Sequence, residues 1–142
     1  MSYQFRYFLE KLPMVEVQLF HGKNETTLVA LIDTGADFTI FPREVADDLG
    51  ISIEKGKLKI LQGAGGNLIA YLHPVRIKLC DLEIPIIACF SEKNDVPEHI
   101  LGRLDVLNHF KLILDRDNFE LIPHQKLKRK SKWFRWGEIG SL

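Results

Sequence analysis

At 142 residues the chain has the length of a single domain, and its 46% apolar and 27% charged residues are those of a globular protein, not of a disordered or fibrous one. Nineteen basic and nineteen acidic residues cancel, so net charge names no nucleic acid, membrane or acidic partner. No stretch approaches the roughly 18 apolar residues of a membrane span, and Arg6, Glu10 and Lys11 interrupt any signal-peptide layout.

The charge is unevenly spread. Residues 126–142 carry six cations against Glu138, or +5, while the remaining thirteen basic and eighteen acidic residues give −5. If the two cysteines, Cys80 and Cys89, lie on strands turned around Asp81-Leu82-Glu83, they are about five residues out of step. At about 3.3 Å per residue that is too far for a bridge. Two reduced thiols point to an intracellular, cytoplasmic protein.

Residues 1–13, rich in Tyr3, Phe5, Tyr7 and Phe8, read as an N-terminal arm or an edge strand. Val15-Glu16-Val17-Gln18-Leu19 alternates as a half-buried strand does, and His21-Gly22-Lys23-Asn24-Glu25 is a hairpin loop. The chain then runs Leu28-Val29-Ala30-Leu31-Ile32, a continuous apolar run expected to be buried on both faces. It ends on Asp33-Thr34-Gly35-Ala36 and resumes as Phe38-Thr39-Ile40-Phe41. A carboxylate at the end of such a strand needs donors around it, because desolvation disfavours its charged form. Gly35 permits a sharp turn whose N–H can donate to it, and Thr34 adds a hydroxyl. Asp-Thr-Gly is also an ordinary turn tripeptide, so its setting decides whether Asp33 is a candidate acid–base catalyst.

After Phe41, Pro42 suits a first helical turn, Val45, Ala46 and Leu49 share a helical face, and Gly50 stops the helix. Leu58-Lys59-Ile60-Leu61 and Leu68-Ile69-Ala70-Tyr71 flank Gln62-Gly63-Ala64-Gly65-Gly66-Asn67, a hairpin with a glycine-dense tip. Val75–Leu79 and Ile84–Phe90 read as strands, and Ser91–Glu98 as a polar loop. Past Ile100-Leu101-Gly102-Arg103, a second short helix is expected with Leu104, Leu107 and Phe110 facing inward. Lys111–Leu114 and Phe119–Ile122 make a last hairpin around Asp115-Arg116-Asp117-Asn118. Many short strands with two small helices imply a mainly β domain over residues 14–125.

In this order, Asp33-Thr34-Gly35-Ala36, the glycine-rich hairpin and Ile100-Leu101-Gly102-Arg103 resemble the retropepsins, the single-domain aspartic proteases of retroviruses and their cellular relatives. The likeness runs from about Val15 to Pro123. It implies a retropepsin-like acid protease barrel, and it makes residues 62–67 (Gln62, Gly63, Ala64, Gly65, Gly66 and Asn67) a flap that folds over substrate. Thr34 would bond into a partner subunit, Gly35 and Ala36 would floor the site, and Ile100, Leu101 and Gly102 would pack behind the catalytic loop. Arg103 would be a structural ion-pair partner. Such chemistry needs two carboxylates sharing a proton, with no metal or cofactor. Pepsin-like enzymes carry two such motifs in one longer chain, whereas this chain has one Asp-Thr-Gly and no Asp-Ser-Gly. The second carboxylate is therefore expected from an identical subunit across a two-fold axis beside Asp33. The expected function is a homodimeric aspartic endopeptidase acting on peptide or protein substrates. The alternative is a silent dimerisation or peptide-binding module on the same fold.

The end of this likeness departs from the viral enzymes. Gly102-Arg103-Leu104-Asp105-Val106-Leu107 and the hairpin to Ile122 are more similar to the protease domain of the DNA-damage-inducible ubiquitin shuttles, with Asp105 as a helix-start or structural acid. The five histidines, His21, His73, His99, His109 and His124, have no metal-ligand spacing. The tail 126–142 interleaves cations with Leu127, Trp133, Phe134 and Trp136. Packing on the domain or its partner competes there with contact to an anionic lipid or nucleic-acid surface.

Overall fold

The structure, a computed structural model, describes residues 1–63 and 65–124. Strands β2 (Met14–His21) and β3 (Asn24–Ile32) pair antiparallel from Met14↔Leu31 to His21↔Asn24, which leaves Gly22-Lys23 as the turn. Strand β4 (Ile40–Phe41) leads into helix α1 (Arg43–Asp48). Strands β5 (Lys57–Gly63), β6 (Gly66–Leu79) and β7 (Leu82–Ser91) form a meander, and the two-residue β8 (Ile100–Leu101) inserts between β3 and β4. The sheet order is β2-β3-β8-β4-β7-β6-β5. A further pairing of β2 with β6, through Gln18↔Lys78, Leu19↔Ile77 and Phe20↔Arg76, rolls the sheet into a closed barrel.

Alternation drives this closure. Val15, Val17 and Leu19 of β2 and Ile84, Ile86 and Ala88 of β7 all point into one core, with Phe41 and Phe90 fully buried between them. Each such large side chain contributes about 1.5–3 kcal/mol on burial. Helix α1 starts after Pro42, whose extended backbone (φ −68°, ψ 160°) is suited to entry, and buries Val45 and Ala46. It stops because Gly50 turns left-handed (φ +68°), with Gly50 N–H bonded to Asp47 O and Ile51 N–H to Ala46 O.

A second sheet of three strands, β1 (Tyr3–Arg6), β10 (Asn118–Pro123) and β9 (Phe110–Leu114), ties the N-terminal residues to the end of the described chain. Phe5 stacks on Phe119 with ring centroids 5.2 Å apart, and Tyr7 lies tilted on the same ring. The tail 126–142 lies outside the described residues.

Several expectations are corrected. Strand β3 is not buried on both faces: Ala30 and Ile32 are buried, but Val29 is 48% exposed opposite Glu16, because this part of the barrel packs on one face only. The turn between β6 and β7 is Cys80-Asp81, both with positive φ, and not Asp81-Leu82-Glu83. Such a two-residue turn matches the twist of the strands it joins. Both cysteines are free.

The second helix is replaced by a turn at residues 103–106 and a single 3-10 turn, Leu107–His109. Leu107 and Phe110 are buried as expected, but Leu104 is 44% exposed. The cause is local. The Val106 N–H donates to the Asp105 carboxylate, and the N–H groups of Arg103 and Leu104 donate to the carbonyls of Ala36 and Asp37. The N–H groups beyond them miss the i−4 carbonyls of an α-helix: Leu107 and Asn108 reach back five residues, to Gly102 O and Arg103 O, and His109 only three, to Val106 O.

Candidate active site

Asp33 follows directly on β3, at the point where that strand is held from both sides. Ile32 N–H donates to Pro13 O, Leu31 N–H to His99 O and Asp33 N–H to Leu101 O. The chain then turns: Ala36 N–H donates to Asp33 O, and Gly35 N–H donates to the Asp33 carboxylate at 2.9 Å. Asp33 is half-buried, while Thr34 and Gly35 are exposed. This is the donor-supported carboxylate that the motif leads one to expect.

Behind the turn lies a second layer. Thr39, fully buried, donates its hydroxyl to Asp105 at 2.9 Å and its N–H to the same carboxylate at 2.8 Å. The same hydroxyl accepts the Gly102 N–H at 3.1 Å. Gly102 has no room for a side chain, since a Cβ there would lie 2.3 Å from the backbone carbon of Phe38. The Asp33–Phe38 loop is thus pinned against residues 102–106 by backbone contact and by one shared carboxylate. Arg103 reaches Asp37 only at 3.9 Å, both side chains more than half exposed, so that ion pair adds little.

In front of the turn lies a groove of about 550 Å³ lined by Asp33, Gly35, Ala36, Asp37, Phe38, Ile40, Lys59, Ile60, Leu61, Gln62 and Ile100. It joins the loop to strand β5 of the glycine-rich hairpin, which pairs down to Gly63↔Gly66. Of the expected site residues, Asp33, Gly35, Ala36, Gln62 and Ile100 line the groove. Thr34, Gly63, Gly65, Gly66 and Asn67 do not, Ala64 lies outside the described residues, and Leu101 and Gly102 are buried behind the loop.

Sequence reasoning missed Thr39, Phe38 and Lys59. The Lys59 ammonium sits 4.0 Å from the centroid of the Phe38 ring. Cys89, whose N–H donates to Thr39 O, lies in this layer too. Burial above all pushes its thiol up to about 11, with nearby Lys59 lowering it and Asp105 raising it.

The histidines take packing roles where the structure assigns them one: His73 donates to Ile53 O and His99 to Val29 O. No group of His, Cys, Asp and Glu that could hold a metal occurs among the described residues.

Residues 15–103 match the family model described as aspartyl protease. The chain belongs to the aspartyl protease family. Among solved structures, the EIAV protease complexed with the inhibitor HBY-793 is similar at 32% identity and a TM-score of 0.57, over 73% of this chain and 92% of that one. A retropepsin-like aspartic protease from Rickettsia conorii superposes with a TM-score of 0.69 at 20% identity, over 85% of this chain and 89% of that one, a likeness of fold. No curated protein matches the chain. The fold is therefore a mainly β, retropepsin-like barrel, and the chain is a peptidase of that family. No helix among the described residues is long and apolar enough to cross a membrane.

Proposed function

We propose that the protein is a homodimeric aspartic endopeptidase whose catalytic dyad is Asp33 and Asp33 of the partner subunit. The observation that carries the reading is the placement of Asp33 after β3, its carboxylate held by the Gly35 N–H, on the floor of a groove that faces the glycine-rich hairpin. One carboxylate takes a proton from water as the water attacks the peptide carbonyl, and the other, protonated, donates to the carbonyl oxygen. Two acids this close share one proton, so the pair titrates as a unit and activity follows a bell over acidic to neutral pH. Thr34, exposed at the turn, reaches the partner, and residues 62–67 close over the substrate backbone as a flap. Leu101 and Gly102 hold the loop from behind, with the Arg103 N–H bonded to Ala36 O, while Ile100 lines the groove.

Residues 14–125 form the protease domain in this reading, preceded by the N-terminal arm or edge strand 1–13 and followed by the basic tail 126–142, whose cations support contact with an anionic surface. The Asp105 carboxylate supports a kinship with the DNA-damage-inducible type, because it does structural work behind the loop. Two free thiols fit a reducing compartment, the cytoplasm.

Asp33→Asn tests the assignment. Peptide cleavage, followed by mass spectrometry on a denatured protein mixture, should fall by on the order of 10³-fold or more, with the circular dichroism spectrum unchanged. Retained cleavage in that variant ends the proposal.

A further inference from the structure

The acid–base chemistry leaves a buried imidazole unused. His73 lies on β6, one residue past the point where the ladder between the two strands of the glycine-rich hairpin ends at Lys57↔Leu72, and it is only 8% exposed. Strand β5 stands last in the sheet order and pairs with β6 alone among the described strands. Strand β7 backs β6 no further than Ala70↔Ser91, so from Ile60↔Ile69 to Gly63↔Gly66 the hairpin stands clear of other strands. Where a hairpin of this kind points is set by the few residues at its root.

That root is tied by His73. Its Nε2–H donates at 2.7 Å to the Ile53 carbonyl, in the 3-10 turn Ile53–Lys55 that feeds β5, and the same carbonyl accepts the Gly56 N–H at 2.9 Å. A Cβ on Gly56 would overlap the Leu72 carbonyl oxygen and the His73 ring, so the entry to β5 is pressed onto β6 without a gap. The ring in turn meets Phe90 edge to face, with centroids 6.0 Å apart. Phe90 lies 5.9 Å from Phe41, and Phe41 lies 6.1 Å from His99. Phe41 and Phe90 are fully buried, and the His99 carbonyl accepts the Leu31 N–H two residues before Asp33. The hairpin root and the strand that carries Asp33 thus rest on one row of packed rings.

We propose that His73 is a positioning residue, the latch that fixes the root of the hairpin and so aims residues 62–67 over the Asp33 groove. The proposal rests on the protease reading and adds to it the group that orients the flap. A root free to swing spreads the hairpin over many positions, and a bound substrate must then bear the cost of ordering it. His73 is not among the residues lining the groove, so its effect falls on substrate binding and not on the acid–base step.

The test compares full-length chains. His73→Phe keeps a ring against Phe90 but has no N–H for the Ile53 carbonyl, whereas His73→Gln offers an amide N–H at the reach of Nε2. Ile77→Val, which trims the buried core of the same strand away from the root, is the control for lost stability. His73→Phe should raise KM for a peptide about three- to tenfold with kcat within about twofold, as the loss of one hydrogen bond implies. On an Asp33→Asn background the peptide Kd should rise by the same factor. Amide exchange over Lys57–Gly63 should quicken while β2 and β3 keep their rates. His73→Gln should restore both KM and exchange, and Gly56→Ala, which forces the entry off β6 with His73 in place, should copy His73→Phe. KM and hairpin exchange unmoved in His73→Phe, a fall in kcat without a rise in KM, or an equal rise of KM in Ile77→Val overturns the latch. Should His73→Phe not fold, fast hairpin exchange in His73→Gln or unchanged exchange in Gly56→Ala overturns it. Hairpin exchange quickened by His73→Phe and restored by His73→Gln, in chains that cut no peptide, keeps the latch and removes the enzyme.

Discussion

The two faces of the Asp33–Phe38 loop differ in how they are held. Its rear is internally complete: Thr39, Gly102 and Asp105 satisfy one another in a buried layer, with no help from outside the chain. Its front is not. Thr34 and Gly35 stand exposed, and within the described chain the Asp33 carboxylate takes its bond from Gly35 alone. The lesson is a division of labour: the rear sets where Asp33 points, and the front is left for whatever completes the site. Rear changes should therefore cost stability and activity together, whereas front changes should cost activity alone.

The largest effect is expected at Gly102. Gly102→Ala drives a methyl into the Phe38 backbone, which cannot yield as a side chain tip would, and should cost about 3 kcal/mol or more in urea unfolding, with cleavage lost. Asp105→Ala comes next. It leaves the buried Thr39 N–H and hydroxyl without their acceptor, for about 2–3 kcal/mol and a matching drop in kcat/KM. Thr39→Val keeps the shape but strips the donor to Asp105 and the acceptor for Gly102 N–H, and should cost about 1–2 kcal/mol.

Cys89 gives a milder, pH-dependent signature of the same layer. Its thiol titrates at about 11 in the folded chain against an ordinary 9.0. Between these values the native state keeps a proton that the unfolded chain releases, so this contribution is whole below pH 9 and fades as pH rises towards 11. Unfolding midpoints compared at pH 8 and pH 10.5 should show a decline that Cys89→Ala lessens but does not abolish, because burial raises the Cys80 thiol to about 11 as well. The smallest effect on stability belongs to the front: Thr34→Val, unfolded at concentrations low enough to keep the chain monomeric, should stay within about 0.5 kcal/mol of the unaltered chain yet lose most cleavage. A large loss of stability at Thr34, or none at Asp105, breaks the comparison.

How much of this the sequence disclosed follows the same line. Asp33, the hairpin and helix α1 were legible because each is written in a few adjacent residues: an apolar run into Asp-Thr-Gly, glycines between two strands, Gly50 after a helical face. The rear layer was not, because Thr39 and Asp105 stand 66 residues apart and neither has a periodic signature. Strand β8 escaped for another reason: two residues carry no alternation. The expected second helix failed because Leu104, Leu107 and Phe110 recur every three residues, a spacing that a turn followed by one 3-10 turn fits as well. The backbone bonds of Leu107, Asn108 and His109, which reach back five, five and three residues instead of four, are those of the turn. Lys59 was hidden by position, since only the folded hairpin brings it over Phe38.

The claim that one carboxylate needs its twin is tested most directly by mixing. Unaltered and Asp33→Asn chains, co-refolded in equal amounts at fixed total concentration, should cleave a peptide at about one quarter of the rate of the unaltered chain alone, because only that share of random pairs holds two aspartates. A rate of about one half, falling in proportion to the active chain, would mean that each chain works by itself.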